Sequence, residues 1–236
     1  MLELKNVTKN FGGLRAVDGV CLNISENEIF GLMGPNGSGK TTVLNLINGV
    51  YPLSSGSIYL GDMQIDNLQP HQIARIGVAR TFQTPKLWLG LTAKDNLMVP
   101  ACCVLNRLNA KRMESRALEL LKFVELTDFE NEYARTLSGG QQRLLEFARA
   151  LMLDPKLILL DEPTAGVHPV LRDRIINIIR AIAKERKTFL IVSHDLGFVA
   201  KFCDRVAVLD AGEKIAEGNP EEIRNNDRVV QAYLGR

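Results

Sequence analysis

A glycine-rich segment, GPNGSGKT at Gly34–Thr41, lies between the apolar runs Ile29–Met33 and Val43–Ile47. A strand, a glycine loop and a helix in that order form the context that a phosphate-binding loop requires. Glycine allows backbone conformations closed to other residues, so successive N–H groups can point inward at phosphate oxygens. The helix that follows directs its positive dipole end at the same anion. The segment therefore predicts a nucleoside triphosphate site.

Within this loop, we expect Lys40 to reach the β- and γ-phosphates and the Thr41 hydroxyl to bind Mg²⁺. The expected nucleotide contacts of the segment are Gly34, Pro35, Asn36, Gly37, Ser38, Gly39, Lys40, Thr41 and Thr42. The alternative interpretation is a glycine-rich turn with no ligand. It would require the pattern G-x4-G-K-[ST] to arise by chance, which average composition allows at on the order of one in 30,000 positions.

Two adjacent carboxylates, Asp161 and Glu162, follow the apolar run Leu157–Leu160. Ligands of open α/β sheets bind beyond the carboxyl ends of the strands. Two carboxylates there are costly unless they face a cation or take part in chemistry. We therefore expect Asp161 to hold Mg²⁺ and Glu162 to face the water that attacks the γ-phosphate. The alternative is an exposed strand end before the turn at Pro163.

The segment Leu137–Gln141, LSGGQ, combines a capping box with two glycines. Ser138 and Gln141 have the spacing that caps the start of a helix. Capping does not explain Gly139 and Gly140, because each weakens the first helical turn by up to about 1 kcal/mol. Two glycines at a helix N-terminus are explained if a phosphate approaches the backbone there.

The composition is that of an ordinary globular protein, with 46% hydrophobic and 24% charged residues among 236. No apolar stretch approaches the ~20 residues of a membrane span, and the opening MLELKNVTKNF lacks the apolar region of a signal peptide. We therefore expect a cytoplasmic protein that reaches a membrane only through partners. A net charge of +2 without a basic stripe argues against a nucleic-acid partner.

The four cysteines, Cys21, Cys102, Cys103 and Cys203, have no C-x-x-C spacing and no histidine nearby in the sequence. In a reducing compartment such cysteines are most simply small buried hydrophobes. A metal or redox role is the less favoured alternative.

Strand and helix patterns alternate at the two ends of the chain and give way to helices in its middle. Strands are predicted at Leu2–Val7, Val20–Ile24, Glu28–Met33, Gly56–Leu60, Gly77–Gln83, Leu157–Leu160, Thr188–Val192 and Arg205–Leu209, and helices at Pro70–Arg75, Pro169–Glu185 and Gly197–Phe202. Apolar strands alternating with helices predict a mostly parallel sheet covered on both faces. From Pro85 to Leu153 apolar residues recur at helical spacing instead. This organisation predicts a core of residues 1–84 and 154–236 and a helical insertion at 85–153.

The chain resembles an ATP-binding cassette (ABC) ATPase over essentially its whole length. The resemblance rests on five motifs in the family's order, which are GPNGSGKT, Gln83, LSGGQ, LILLDEP and His194. The resemblance implies an α/β phosphate-loop NTPase core, mostly parallel with an N-terminal antiparallel β part, and an inserted α-helical subdomain. It implies ATP and Mg²⁺ as cofactors and a head-to-tail dimer. In such a dimer Ser138, Gly139, Gly140 and Gln141 of one subunit close over the γ-phosphate held by Lys40 of the other.

The same resemblance assigns roles to single residues. The implied catalytic residues are Glu162, His194, Gln83 and Lys40. The implied Mg²⁺ ligands are Thr41, Gln83 and Asp161. Phe11 takes the place of the aromatic residue, more often Tyr, that stacks on adenine, and Val17 is expected to pack on the same base. The alternatives are ordinary structural roles: a polar residue at a strand end for Gln83, and a core side chain for His194 or Phe11.

One residue departs from the family pattern. The family usually carries Asp or Asn where this chain has His168, in a loop that makes polar contacts across the dimer interface. A protonated histidine would alter a site already crowded with charge. We therefore expect ATP-driven dimerisation to be more sensitive to pH between pH 6 and 8 than is usual.

The finer resemblance is to importer cassettes of the branched-chain amino acid type. It rests on Asn10–Val17, Pro70–Gln83, Ala165–Pro169 and the ending Ala232–Gly235, although the helical insertion is shorter after Pro100 than in that type. It implies integral membrane permease subunits that dock near Gln83 and Thr84–Leu91, a second cassette, identical or related, and a solute-binding protein. The implied location is the cytoplasmic face of the membrane. A lipopolysaccharide-export cassette, with a similar Tyr-Leu-Gly ending, is the alternative. A soluble cassette ATPase acting on ribosomes or DNA is less favoured.

Overall fold

A computed structural model describes residues 1–102 and 110–234. Its strands are Leu2–Phe11 (β1), Leu14–Ile24 (β2), Ile29–Met33 (β3), Ser55–Leu60 (β4), Met63–Gln64 (β5), Val78–Arg80 (β6), Leu157–Asp161 (β7), Thr188–Val192 (β8), Arg205–Asp210 (β9) and Glu213–Gly218 (β10). Its α-helices are Lys40–Ile47 (α1), Pro70–Arg75 (α2), Ala93–Ala101 (α3), Ala110–Phe123 (α4), Gly139–Ala150 (α5), Pro169–Ala183 (α6), Leu196–Val199 (α7), Pro220–Arg224 (α8) and Asp227–Leu234 (α9).

The centre of the fold is a largely parallel sheet with the strand order β10-β9-β3-β8-β7-β6. Strand β3 pairs in parallel with both β8 and β9, so that Leu32 lies opposite Val192 and Ala207. Every residue of β7 and β8 is buried, because helices or the second sheet cover both faces. The edge strand β10 runs antiparallel to β9.

An antiparallel sheet with the order β2-β1-β4-β5 is formed by the N-terminal part of the chain. Its buried residues join those of α1 and of the parallel sheet in one hydrophobic cluster, which includes Leu4, Leu22 and Leu44. Alternation of buried and exposed residues along β2 is what a strand with one covered face requires. The fold class expected from the sequence, including this antiparallel part, is confirmed.

Helices α3, α4 and α5 lie between β6 and β7 in the chain. Their buried residues, such as Leu97 and Leu121, join those of α6 in a second hydrophobic cluster. The buried Asn96 amide donates to the carbonyls of Trp88 and Thr92, both at 3.0 Å, and so holds the segment before α3 against that helix. The described helices thus fall where the sequence predicts an insertion.

Several boundaries differ from the sequence-based predictions. The strand predicted at Gly77–Gln83 ends at Arg80, because the N–H groups of Phe82 and Lys86 bind the Glu146 carboxylate instead of a neighbouring strand. The helix predicted at Gly197–Phe202 is Leu196–Val199, capped by the Asp195 side chain. Strands β5 and β10 and helices α8 and α9 had no predicted counterpart.

The prediction of buried cysteines is wrong for Cys21 and Cys102, which are exposed, and right for Cys203. Cys21 is on an outward-facing position of β2, where its thiol contacts Asn6. Cys103 lies outside the described residues. Among the described residues, no helix has both the length and the apolar character needed to cross a membrane.

Candidate nucleotide site

A pocket of about 550 Å³ lies beyond the carboxyl ends of β3 and β7. This is the edge of a parallel sheet at which ligands bind. Its lining residues are Phe11, Leu14, Arg15, Ala16, Asn36, Gly37, Gly39, Lys40, Thr41, Thr42, Gln83, Glu162 and Ala211. The structure therefore gathers residues from both ends of the sequence around the predicted phosphate-binding loop.

The loop between β3 and α1 has the backbone conformation that its glycines permit. Gly34, Gly37 and Gly39 have φ angles of 144°, 79° and 102°. A Cβ atom on Gly34 would lie 2.1 Å from the Leu209 carbonyl oxygen, and one on Gly39 would lie 2.5 Å from the Ala16 carbonyl oxygen. Only glycine fits these two positions.

Lys40 begins α1, and its ammonium group folds back over the loop. Its Nζ atom donates to the carbonyl oxygens of Gly34 at 2.8 Å and Pro35 at 2.7 Å. Burial lowers the pKa of Lys40, an effect that the charges of Glu162 and Asp161 oppose. A buried cation held against this glycine-rich loop is suited to bind an anionic phosphate.

Glu162 is held in a constrained position directly after β7. Its φ angle is 49°, a left-handed conformation that is costly for a residue other than glycine and is concentrated at functional sites. Its N–H donates to the Val192 carbonyl at 2.9 Å. Its side-chain Oε1 lies 2.8 Å from Nδ1 of His194, which follows β8. The sequence-predicted pair of Glu162 and His194 is thus brought together.

Asp161 is buried and paired with Arg80, a residue that the sequence analysis did not select. The Arg80 Nη2 atom lies 3.1 Å from Asp161 Oδ2, and its Nη1 atom donates to Asn45 Oδ1 on α1 at 2.6 Å. The one feature of the sequence that could have indicated Arg80 is an arginine within the strand predicted at Gly77–Gln83. Arg80 joins α1, β6 and β7 behind the pocket.

Gln83 lies in the loop after β6, with its side chain exposed and lining the pocket. Its carbonyl oxygen accepts from Arg143 Nη2 at 2.5 Å. Arg143 Nη1 also donates to the carbonyls of Glu162 and Pro163, both at 3.1 Å. Arg143, which the sequence analysis did not select either, therefore ties α5 to the loop after β6 and to the loop after β7.

Glu146, one turn further along α5, is a third residue near the site that the sequence analysis did not select. Its buried carboxylate accepts from the N–H groups of Phe82 at 3.4 Å and Lys86 at 2.9 Å. Burial raises the pKa of Glu146, while these two hydrogen bonds and the nearby arginines lower it. Glu146 thereby holds the ends of the Gln83 loop.

The LSGGQ residues lie in a different pocket of the same chain, with a volume of about 530 Å³. That pocket is lined by Pro85, Ser138, Gly139, Gly140, Gln141, Arg143, Leu144, Ala165, Gly166, Val167, His168, Leu171 and Arg174. The predicted capping box is confirmed: Ser138 Oγ accepts from the Gln141 N–H, and Gln141 Oε1 from the Ser138 N–H. A Cβ atom on Gly139 would meet open space. Within one chain the LSGGQ segment and the phosphate loop line separate pockets.

His168, in this second pocket, precedes α6 and caps it. Its Nδ1 atom accepts from the Val170 N–H at 3.4 Å. His168 thus takes the place of the capping side chain at the start of α6.

The two residues expected at the base of the nucleotide lie in different surroundings. Phe11 is 41% exposed and lines the first pocket. Its ring makes an edge contact with Tyr51, with the centroids 5.2 Å apart. Val17 is fully buried in the core and is not among the lining residues, so the expectation that it packs on the base is not met. Ala16, its neighbour on β2, lines the pocket instead.

Two family models match separate parts of the chain. The model described as ABC transporter matches residues 17–165, and the model described as branched-chain amino acid ATP-binding cassette transporter matches residues 213–236. Together they cover the phosphate loop, the LSGGQ segment, both carboxylates and the C-terminal helices.

Three relatives named as branched-chain amino acid transport ATP-binding proteins match the whole chain. BraF of Pseudomonas aeruginosa is 41% identical, and 98% of its length is covered. The probable LivG of Archaeoglobus fulgidus is 38% identical, with 95% of its length covered. LivG of Escherichia coli is 37% identical, with 98% covered.

Solved structures show the same similarity. The ADP conformation of the ATP-binding cassette MJ1267 of an ABC transporter superposes with a TM-score of 0.90 at 34% identity, covering 100% of this chain and 99% of that one. A dimeric structure of the bacterial ABC transporter cassette MJ0796 superposes with a TM-score of 0.85, also at 34% identity, covering 93% of this chain and 99% of that one. The chain belongs to the ABC transporter family, and it is one of that family's ATP-binding, ATP-hydrolysing cassettes.

Proposed function

We propose that this chain is the ATPase subunit of a transporter that imports branched-chain or other hydrophobic amino acids. The observation that carries the proposal is the similarity, from end to end, to relatives named for branched-chain amino acid transport. The match of residues 213–236 to a branched-chain family model supports the same solute class independently of the shared ABC motifs.

We further propose that Mg²⁺ accompanies ATP in the first pocket. The candidate ligands are the Thr41 hydroxyl, the Gln83 amide oxygen and the Asp161 carboxylate, all hard oxygen donors of the kind Mg²⁺ prefers. Thr41 and Gln83 line the pocket. The Asp161 carboxylate is paired with Arg80 behind the pocket, so it would hold Mg²⁺ through a water molecule. When bound, Mg²⁺ would help to neutralise the negative charge that develops on the phosphates.

The chain's own residues supply the remaining chemistry in this proposal. The glycine loop and Lys40 hold the β- and γ-phosphates, and Phe11 stacks on adenine with the face of its ring. Glu162 accepts a proton from, and orients, the attacking water. His194 orients the Glu162 carboxylate through their 2.8 Å contact and contacts the γ-phosphate.

A second cassette completes the site in this proposal. The LSGGQ segment lines a pocket of its own chain that is separate from the phosphate loop, with Gly139 open to close approach. A head-to-tail dimer would bring this glycine-lined helix N-terminus onto the γ-phosphate of the partner. The similar cassette MJ0796 is dimeric. The second cassette can be a copy of this chain or a related one.

Permease subunits dock, we propose, on the segment Thr84–Leu91. Trp88 and Leu89, two large apolar side chains adjacent in the chain, are 46% and 52% exposed, and neighbouring exposed apolar residues often mark interaction sites. The guanidinium of Arg149 lies 4.8 Å from the Trp88 ring centroid and 3.8 Å from the Glu146 carboxylate. A force on Trp88 would therefore reach the Gln83 loop through α5.

The cassette would thus sit at the cytoplasmic face of the membrane through its permeases, with a solute-binding protein delivering the amino acid. In this proposal residues 1–84 and 154–236 form the nucleotide-binding unit. Residues 85–153 form the insertion that carries LSGGQ and residues 85–91 of the docking segment. The insertion can then move with the permease while the phosphate loop keeps its geometry.

The test is to tag the chain, extract its native membranes in mild detergent and identify the proteins that co-purify. Two integral membrane proteins, a second cassette and a binding protein selective for leucine, isoleucine or valine would support the proposal. A lipopolysaccharide-binding membrane partner would contradict the solute class. Ribosomal or DNA-bound partners without membrane proteins would contradict transport itself.

A further inference from the structure

The C-terminal helix α9 reaches the phosphate loop through one side chain. Tyr233 Oη accepts a hydrogen bond from the Gly34 N–H at 3.0 Å, across 199 positions of sequence. The helix is anchored by buried Val229 and lies against β10. The partly buried Tyr233 ring packs on the main hydrophobic cluster. The hydroxyl is thus brought to the start of the loop by a well-packed element.

The backbone of Gly34 cannot be held in place by the packing of a side chain. Gly34 is buried, has a φ angle of 144° and has no room for a side chain, because a Cβ atom would lie 2.1 Å from the Leu209 carbonyl oxygen. Its carbonyl oxygen accepts from Lys40 Nζ at 2.8 Å. Tyr233 and Lys40 therefore hold the two polar groups of the first loop residue.

The hydroxyl does this as a neutral group. Burial raises the pKa of Tyr233 to about 12, and the charge of Glu162 acts in the same direction, whereas the hydrogen bond from Gly34 opposes it. A phenolate, which would repel a nucleotide's phosphates, is therefore not formed at physiological pH.

We propose that Tyr233 is a positioning residue for nucleotide binding, which fixes Gly34 so that the phosphate loop and Lys40 keep the geometry that receives the β- and γ-phosphates. The helix that carries it lies in the segment 213–236, whereas the site residues predicted from the sequence lie between 11 and 194. The inference rests on ATP binding by this loop and is independent of the solute and the permeases.

The test uses Tyr233→Phe, which removes the hydroxyl and keeps the ring. We measure the Kd of a fluorescent ADP analogue in EDTA, and KM and kcat for ATP hydrolysis. Loss of one hydrogen bond is expected to raise Kd and KM about 3- to 10-fold, with kcat changed less than about 2-fold. The matched control, Tyr133→Phe, removes the hydroxyl of an exposed tyrosine in the insertion and should change none of these values.

Unchanged Kd and KM in Tyr233→Phe would overturn the proposal. A lower Tm and kcat with unchanged Kd and KM would also overturn it, because that pattern belongs to a purely structural hydrogen bond. If Tyr233→Phe fails to fold, amide hydrogen exchange in the unaltered chain tests the proposal instead. In nucleotide-free protein the Gly34 amide should exchange with solvent at least ~10-fold more slowly than that of exposed Gly37. Equal exchange rates would show that Tyr233 does not hold Gly34.

Discussion

The imidazole Nδ1 of His194 lies 2.8 Å from Oε1 of Glu162. The two residues follow the neighbouring strands β8 and β7, and the Glu162 backbone has a φ angle of 49°. A strained backbone and a side-chain partner together fix where the carboxylate can lie. The arrangement resembles a general base held by an orienting group. It requires Glu162 and His194 to follow two neighbouring strands, as they do.

Glu162→Gln is expected to bind ATP but to hydrolyse it at least ~100-fold more slowly, because an amide cannot accept the proton of the attacking water. The variant should then accumulate as an ATP-bound dimer. Phosphate release and size-exclusion chromatography with ATP check both parts. Glu213→Gln, which removes an exposed carboxylate on β10, is the control. Near-normal turnover in Glu162→Gln would remove Glu162 from the role of base.

Arg80→Met is expected to destabilise the nucleotide-free protein by about 3–5 kcal/mol, since it leaves the buried Asp161 without its cation. Urea unfolding in EDTA measures the change in the free energy of unfolding. The control is Arg116→Met, which breaks the exposed pair with Glu119 and should cost less than about 1 kcal/mol. If both variants lose the same small amount, the Arg80–Asp161 pair does not stabilise the fold.

Local patterns allowed the phosphate loop, the Ser138 cap and the strand Thr188–Val192 to be predicted, because the residues that specify each lie within a few positions of one another. The residues that were missed act over distance. Arg80 meets Asp161 across 81 positions, and Arg143 meets Gln83 across 60. An arginine or a glutamate in a strand or helix pattern gives no sign of its partner until the chain is folded. The prediction that Val17 packs on the base fails because the alternation along β2 directs this side chain into the core.

The cysteines differ in exposure, and we expect them to differ in reactivity. Burial raises the pKa of the Cys203 thiol to about 12, so almost no thiolate is present at pH 8. Cys21 and Cys102 are exposed. Iodoacetamide at pH 8, followed by peptide mass mapping, should modify Cys203 at least ~100-fold more slowly than these two. In urea the three should react alike. Rapid modification of Cys203 in the native protein would show that its surroundings open readily.

His168 lines the pocket that contains LSGGQ and caps α6. Its Nδ1 accepts from the Val170 N–H at the start of α6, and protonation of that nitrogen would abolish the acceptor. It would also add a cation to a pocket that already contains Arg143 and Arg174. We therefore expect the ATPase rate to depend on whether this nitrogen carries a proton.

His168→Asn retains a good cap and does not titrate. Where protonation of the cap weakens the dimer, the ratio of the ATPase rate at pH 6 to that at pH 8 is expected to be higher in His168→Asn than in the unaltered chain. His71→Asn, which replaces an exposed histidine on α2, is the matched control and should leave this ratio unchanged. An identical pH profile for His168→Asn and the unaltered chain would contradict this expectation.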